Sequence, residues 1–170
     1  MSHAFYLDVD RCTGCMACAV ACMDQNDLDV STVGGASTAW RQVFTVESGE
    51  YPEARVRYVS LACMHCEDAP CIMACPTGAI TRESGTRAVR VDADLCIGCH
   101  SCSMACPFGV PRFGKEGTMQ KCDLCTVRLE NGLEPACVRV CPNQALKQGD
   151  PNQMTLEREK KAAGRLVSGT

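Results

Sequence analysis

Sixteen of the 170 residues are cysteine, and they stand in four runs of four. The first run is Cys12, Cys15, Cys18 and Cys22, and the second is Cys63, Cys66, Cys71 and Cys75. The third is Cys96, Cys99, Cys102 and Cys106, and the fourth is Cys122, Cys125, Cys137 and Cys141. No cysteine lies outside a run. So many thiols at so regular a spacing dictate what the backbone must surround, and the remaining residues have to fold around that constraint.

The first and third runs read C-x2-C-x2-C-x3-C. Three sulfurs on one tight loop suit a single cubane, and the fourth cysteine faces away past the turn. This is the spacing that holds [4Fe-4S] clusters, with the fourth thiolate serving the other cluster of a pair. The second run, C-x2-C-x4-C-x3-C, and the fourth, C-x2-C-x11-C-x3-C, insert residues before the third sulfur. Such insertions lengthen a loop without changing what each sulfur does. Proline follows the last cysteine in three runs, as Pro76, Pro107 and Pro142, and fixes the backbone there. Met23 takes that place in the first run. The sixteen thiolates suffice for four [4Fe-4S] clusters.

Hydrophobic residues make up 46% of the chain, but that figure includes the cysteines, and aromatics are only 5%. The conventional core is therefore thin for one domain or two very small ones, and chains with thin cores lean on metals or cross-links. Cluster removal is expected to unfold the protein, because ligation and folding are coupled. The formal charge of −3 counts the thiols as neutral. Cluster-bound thiolates make the holoprotein much more negative, which argues against nucleic acid as a partner. The N-terminal residues lack a positive run followed by an apolar segment, and no stretch approaches the roughly 18 apolar residues of a membrane span. A reducing, cytoplasmic setting is expected, although a folded subunit can also be exported on a partner's signal.

Residues 4–10 read as a short strand entering the first run, and residues 88–92 as its counterpart before the third. Residues 79–82 and 88–91 form an expected hairpin with Gly85 in its turn, and a short helix is expected from Ala17 to Met23. Residues 24–38, with Gly34 and Gly35, read as a loop. Trp40 to Val46 and Ala54 to Leu61 read as two strands joined by residues 48–52. Residues 107–120 read as an irregular connector crossing the molecule. Residues 155–167 form a charged tail, a surface helix or docking arm with good helical propensity as far as Gly164, or else a loose terminus.

Four zinc sites are a poorer reading, since C-x2-C-x2-C crowds three ligands more than tetrahedral zinc asks. Eight disulfides would suit a secreted chain. His65 and His100 lie between ligating cysteines. Each reads first as a surface loop residue, and second as a hydrogen-bonding partner of a cluster. Lys121, just before Cys122, offers a positive charge near a cluster. Trp40 reads as packing or an interface residue. No phosphate loop or dinucleotide fingerprint is present, and no thiol is left to expose an open iron. The chain is expected to move electrons and to leave catalysis to a partner.

The motifs Cys12-Thr-Gly-Cys15-Met-Ala-Cys18, Cys63-Met-His-Cys66-Glu-Asp-Ala-Pro-Cys71 and Cys96-Ile-Gly-Cys99 carry a resemblance to a known family. So do Ala105-Cys106-Pro107-Phe108-Gly109, Lys121-Cys122-Asp-Leu-Cys125, Leu133-Glu134-Pro135-Ala136-Cys137, Cys141-Pro142 and Trp40-Arg41. From about residue 3 to 149 the chain resembles the four-cluster iron–sulfur subunits of the dimethyl sulfoxide reductase family. The resemblance implies an α+β fold of two ferredoxin-like bicluster halves related by a pseudo-twofold axis, with irregular loops wrapped around four [4Fe-4S] clusters. Residues 1–30 with 119–150 would form one half and residues 60–118 the other. Residues 31–59 would be an inserted hairpin, and residues 151–170 a charged C-terminal tail.

The implied ligand sets are Cys12, Cys15, Cys18 and Cys141; Cys122, Cys125, Cys137 and Cys22; Cys63, Cys66, Cys71 and Cys106; and Cys96, Cys99, Cys102 and Cys75. The resemblance further implies a linear wire between a large tungsten- or molybdenum-cofactor catalytic subunit and a second redox subunit or carrier. The chain's compact size favours a tungsten aldehyde oxidoreductase as that partner. A free polyferredoxin shuttling between enzymes is the alternative, and a non-redox metal-stabilised scaffold is a third reading. Self-association into longer wires is compatible with two opposite partner surfaces.

Overall fold

The computed structural model describes residues 4–28, 32–33 and 36–168. Among them, five two-stranded antiparallel sheets and six helices surround the cysteine runs. No sheet among the described residues reaches a third strand, so the loops between strands contribute much of the interior.

Strand β1, Ala4–Leu7, ends in a single 3-10 turn, Val9–Arg11, so it is shorter than the sequence reading. The Asp8 carboxylate accepts the Asp10 N–H at 3.2 Å and caps that turn. Helix α1, Ala17–Gln25, carries Cys18 and Cys22 four residues apart, on one side of the helix. It runs two residues beyond the expected Met23. Proline follows the last cysteine of every other run, whereas Met23 keeps its N–H and lets the helix continue.

The short strands β2, Thr32–Val33, and β3, Ala36–Ser37, pair within the segment read as a loop. Gly34 and Gly35 themselves lie outside the described residues. Strands β4, Gln42–Ser48, and β5, Arg55–Leu61, form the longest hairpin. Its base reaches inward: Val43 joins the core, and the Tyr58 ring lies where a side chain on Gly14 would be.

Helix α2, Pro70–Met73, precedes the expected hairpin of β6, Ile80–Arg82, with β7, Val89–Val91. Helix α3, Ser101–Ala105, packs on α2. The connector at 107–120 is not irregular throughout. Arg112–Phe113, β8, pairs with Met119–Gln120, β9, through a turn closed by the Gly117 N–H donating to the Gly114 carbonyl at 3.0 Å. Gly117, at φ 78°, supplies the left-handed backbone that the turn needs.

Helices α4, Thr126–Glu130, and α5, Ala136–Arg139, flank the long insertion of the fourth run, and α5 packs on α1. Strand β10, Leu146–Gly149, pairs with β1 and ties the two ends of this body together. Helix α6, Pro151–Ser168, continues through Gly164 to Ser168, farther than propensity alone suggests. It is held by ion pairs: Lys161 with Asp8 at 2.6 Å, Arg165 with Asp10, and Lys147 with Glu157 at 2.7 Å.

The apolar clusters are as thin as the composition requires. One gathers Ala69, Ile80, Val89, Cys102 and Met119, and the other Cys18, Cys137 and Leu146. Cysteines are members of both, so the thiols themselves make up part of the interior. Among the described residues, no helix is long and apolar enough to cross a membrane.

Candidate metal centres

A backbone signature repeats in all four runs. The residue before the second cysteine is left-handed every time: Gly14 at φ 71°, His65 at 48°, Gly98 at 65° and Leu124 at 68°. Only two of the four are glycine, so the repeat follows from the loop's shape rather than from residue type. Such turns aim successive N–H groups toward the concave side, where thiolate and sulfide sulfurs can accept them. The proline-bearing runs share a second turn. Gly78, Gly109 and Gln144, each third after the last cysteine, are left-handed and donate their N–H to that cysteine's carbonyl at 3.4, 3.2 and 3.1 Å.

The loops bring the cysteines together in fours. Cys12, Cys15, Cys18 and Cys141 line one cavity. Cys63, Cys66, Cys71 and Cys106 line another. Cys75, Cys96, Cys99 and Cys102 line a third. Each cavity takes its fourth sulfur from a different run. The remaining four, Cys22, Cys122, Cys125 and Cys137, are all buried, with α1 against α5. All sixteen are free thiols, not disulfides.

The groups fit a multi-atom inorganic core better than a single ion. Among the described residues, no three side chains converge as a mononuclear metal site requires. Cavities with four cysteines on their walls supply the number of thiolates that a cubane takes. Buried polar atoms give a second indication. Arg41 Nε, His65 Nε2 and Thr126 Oγ1 are buried without a protein partner, and each lies beside the cysteine sets. An orphaned buried donor costs about 1–3 kcal/mol, and cluster sulfur is an acceptor that could remove that cost.

Sulfur already receives hydrogen bonds. The Met119 N–H donates to Cys96 at 3.3 Å, Ala145 N–H to Cys141 at 3.2 Å and Leu124 N–H to Cys122 at 3.4 Å. Asn26 Nδ2 lies 3.7 Å from Cys22 Sγ. Such bonds favour the thiolate.

Electrostatics separate the sets. Burial pushes the Cys22 thiol up to about 12, with Cys137 adding and Arg41 opposing. Burial likewise pushes Cys122 up, and the Cys63 thiol of another set adds to it. At the exposed side, the Ser101 hydroxyl beside Cys99 holds that thiol below its ordinary value. Thiols also repel across set boundaries: Cys137 with Cys18, Cys122 with Cys63, and Cys102 with Cys71, always after burial as the main cause.

The two histidines diverge. His65 Nδ1 accepts the Val89 N–H at 3.0 Å, which leaves the buried Nε2 to carry the proton. Burial, then Lys121, Arg82 and Arg41, pull the imidazole down to about 3, so it is neutral. His65 is thus no surface loop residue. His100 is exposed and lies 3.8 Å, centroid to centroid, from Phe113. Trp40 donates to Gln120 at 3.0 Å. Sequence reasoning passed over Arg41 as a charge and Ser60 altogether. Arg41 is 3% exposed, donates to Ser60 Oγ at 3.0 Å, and that hydroxyl lies 3.4 Å from Cys18 Sγ. The single charge beside Trp40, entering a strand, was the available signal.

Two family models, each described as a 4Fe-4S dicluster domain, match residues 11–79 and 54–151. The probable anaerobic dimethyl sulfoxide reductase chain YnfG of Escherichia coli is 40% identical over 157 residues, covering 86% of this chain and 73% of the relative. The B subunit of the anaerobic dimethyl sulfoxide reductase of Escherichia coli is 38% identical over 162 residues, covering 89% and 75%. The thiosulfate reductase electron transfer subunit PhsB of Salmonella typhi is 42% identical over 154 residues, covering 89% and 77%. The four cysteine groupings and these similarities lead to one conclusion: the chain belongs to the 4Fe-4S dicluster family of iron–sulfur electron-transfer subunits that includes the B subunit of dimethyl sulfoxide reductase, and it carries four [4Fe-4S] clusters.

Proposed function

We propose that the four groups of cysteines are the four ligand sets of an electron wire, in the order Cys12/Cys15/Cys18/Cys141, Cys22/Cys122/Cys125/Cys137, Cys63/Cys66/Cys71/Cys106 and Cys75/Cys96/Cys99/Cys102. The observation that carries this order is the electrostatic coupling of thiols across neighbouring sets, Cys18 with Cys137, Cys63 with Cys122 and Cys71 with Cys102. The first and last sets each hold one exposed cysteine, Cys15 and Cys99, so each end is open to a partner. Residues 1–30 with 119–150 form one ferredoxin-like half in this reading, residues 60–118 the other, and a pseudo-twofold relates them.

When bound, the clusters supply one-electron steps that need no proton. The chain's residues space the clusters, exclude water from the second set and donate hydrogen bonds to sulfur. The wire runs between a large catalytic subunit and a second redox partner. The relatives named for dimethyl sulfoxide, thiosulfate and sulfite enzymes support a molybdenum-type catalytic subunit over a tungsten aldehyde oxidoreductase. Sixteen thiols that must stay reduced until filled support assembly in the cytoplasm.

The test is metal analysis of the intact complex purified anaerobically from its host. The expected result is molybdenum beside about 16 iron atoms per copy of this chain, with clusters that reoxidise when the partner's sulfur-containing substrate is added. Tungsten and reduction by aldehydes would replace the partner. Iron alone, with no larger companion, would favour the free polyferredoxin.

A further inference from the structure

The second set is the most enclosed: Cys22, Cys122, Cys125 and Cys137 are all buried. An electron arriving there comes from a neighbouring cluster, which is oxidised as this one is reduced. No bond forms or breaks, no proton moves, and the site gains one negative charge. Adding charge to a low-dielectric interior is unfavourable unless an opposite charge is close. Burial alone would therefore make the middle of the wire its hardest step.

Two buried cations stand at the two boundaries of this set. Arg41 is 3% exposed and Lys121 is 4% exposed. Arg41 faces sulfur rather than carboxylate. Its foremost charge partners are Cys137, Cys122, Cys18 and Cys22, members of the first and second sets. The Phe5 ring lies 5.2 Å from its guanidinium carbon, Ser60 takes one N–H, and Nε is left without a protein partner. Lys121 immediately precedes Cys122 and donates to the Cys122 carbonyl at 2.9 Å and to the Val89 carbonyl. Its charge reaches Cys71 of the third set and His65. The Asp123 carboxylate opposes them: it accepts the Cys125 N–H at 2.8 Å and acts on Cys125 and Cys22.

A buried lysine or arginine that serves only the fold is normally paired with a carboxylate. Here the natural counter-charges are the thiolates of adjoining sets. We propose that Arg41 and Lys121 are positioning residues for electron transfer: placed at the first–second and second–third boundaries, they raise the potential of the interior cluster so that the middle of the wire stays reducible. The proposal rests on the ligand sets given under Proposed function.

The test is an EPR-monitored redox titration of the anaerobically purified, fully loaded protein, in native form and as Arg41→Gln, Arg41→Lys, Lys121→Gln and Lys121→Arg. The second-set signal is identified by its loss in Cys125→Ser. Arg41→Gln is expected to lower the second- and first-set midpoints, and Lys121→Gln the second and third. The fourth should stay in place, and the charge-keeping variants should restore native values. Unmoved midpoints at full iron content, or equal shifts of all four clusters, would overturn the proposal and leave the ligand sets standing. Should the glutamine variants fail to load iron, the native protein decides. A second-set cluster lowest of the four would refute the proposal, and any higher rank supports it. Fewer than four clusters in the native protein would instead overturn the ligand reading itself, before any titration.

Discussion

As proposed ligand sets, Cys22, Cys122, Cys125 and Cys137 on one side and Cys75, Cys96, Cys99 and Cys102 on the other put the same four-sulfur chemistry in opposite surroundings. The former has every cysteine buried, two helices packed across it and cations at its borders. The latter has Cys99 exposed beside Ile97 and Met104, which are themselves 68% and 88% exposed. Burial raises the thiols of the first, while Ser101 lowers Cys99 in the second. Exposure suits handing an electron to a partner. Enclosure suits passing one on without loss. The difference lies in what surrounds the loops, since the loop backbone itself repeats.

The strongest way to break this contrast is to remove iron. Chelation under anaerobic conditions is expected to abolish the fold, seen as loss of the far-ultraviolet circular dichroism signal, because the apolar clusters alone are too thin. Iron should leave in stages, the open ends first and the enclosed set last. A single-step loss with retained secondary structure would show that enclosure protects nothing.

Ligand substitution sharpens it. Cys99→Ser is expected to leave a soluble protein missing about a quarter of its iron. Cys125→Ser should lose the same share of iron but fall further in yield, since neighbouring sets pack on its helices. Soluble yield at matched iron content decides, and equal yields would erase the distinction.

Two glycines separate loop shape from crowding on the open side. Gly98 is left-handed at φ 65°, and a Cβ there would lie 2.6 Å from the Gly117 carbonyl oxygen. Gly98→Ala should cost about 2–4 kcal/mol, combining backbone strain with the clash. Gly78, at φ 68°, has open space around it, so Gly78→Ala should cost only about 1 kcal/mol. Denaturant midpoints of the loaded proteins check the order.

Much of this was legible in the residues. The four runs named the clusters' number. The β6–β7 and β4–β5 hairpins followed from apolar residues flanking glycine-containing turns. The β8–β9 hairpin was hidden, because two-residue strands carry no periodicity, and only the spacing of Gly114 and Gly117 betrays the turn. The depth of His65 was hidden too. A histidine between two cysteines looks exposed in sequence, and its surroundings, the Val89 N–H on Nδ1 and the charge of Lys121, are brought there by distant segments. Arg41 escaped for the same reason.

The smallest effect concerns α6, which the first set's end carries and the fourth lacks. The Lys147 ammonium holds Glu157 below its ordinary range, so this contribution is present above pH 4.5 and lost as pH falls through the lowered value. The Asp8 carboxylate, followed by Asp10, raises Lys161 above its ordinary range. That contribution is present below pH 10.5 and lost as pH rises through the raised value. Amide protection in α6, taken relative to the intrinsic exchange rate at each pH, should therefore be greatest between these limits and fall beyond either, with the cysteine loops unaffected in the acid arm's early part.

Strand β10 and Cys141 complete the cavity that Cys12, Cys15 and Cys18 begin. During synthesis the first three sulfurs leave the ribosome long before the fourth exists. The cavity spanned by Cys63 and Cys106 needs a much shorter length of chain. The set that Cys106 closes is therefore complete in sequence before the set that Cys141 closes, and the earliest thiols wait longest for their fourth partner.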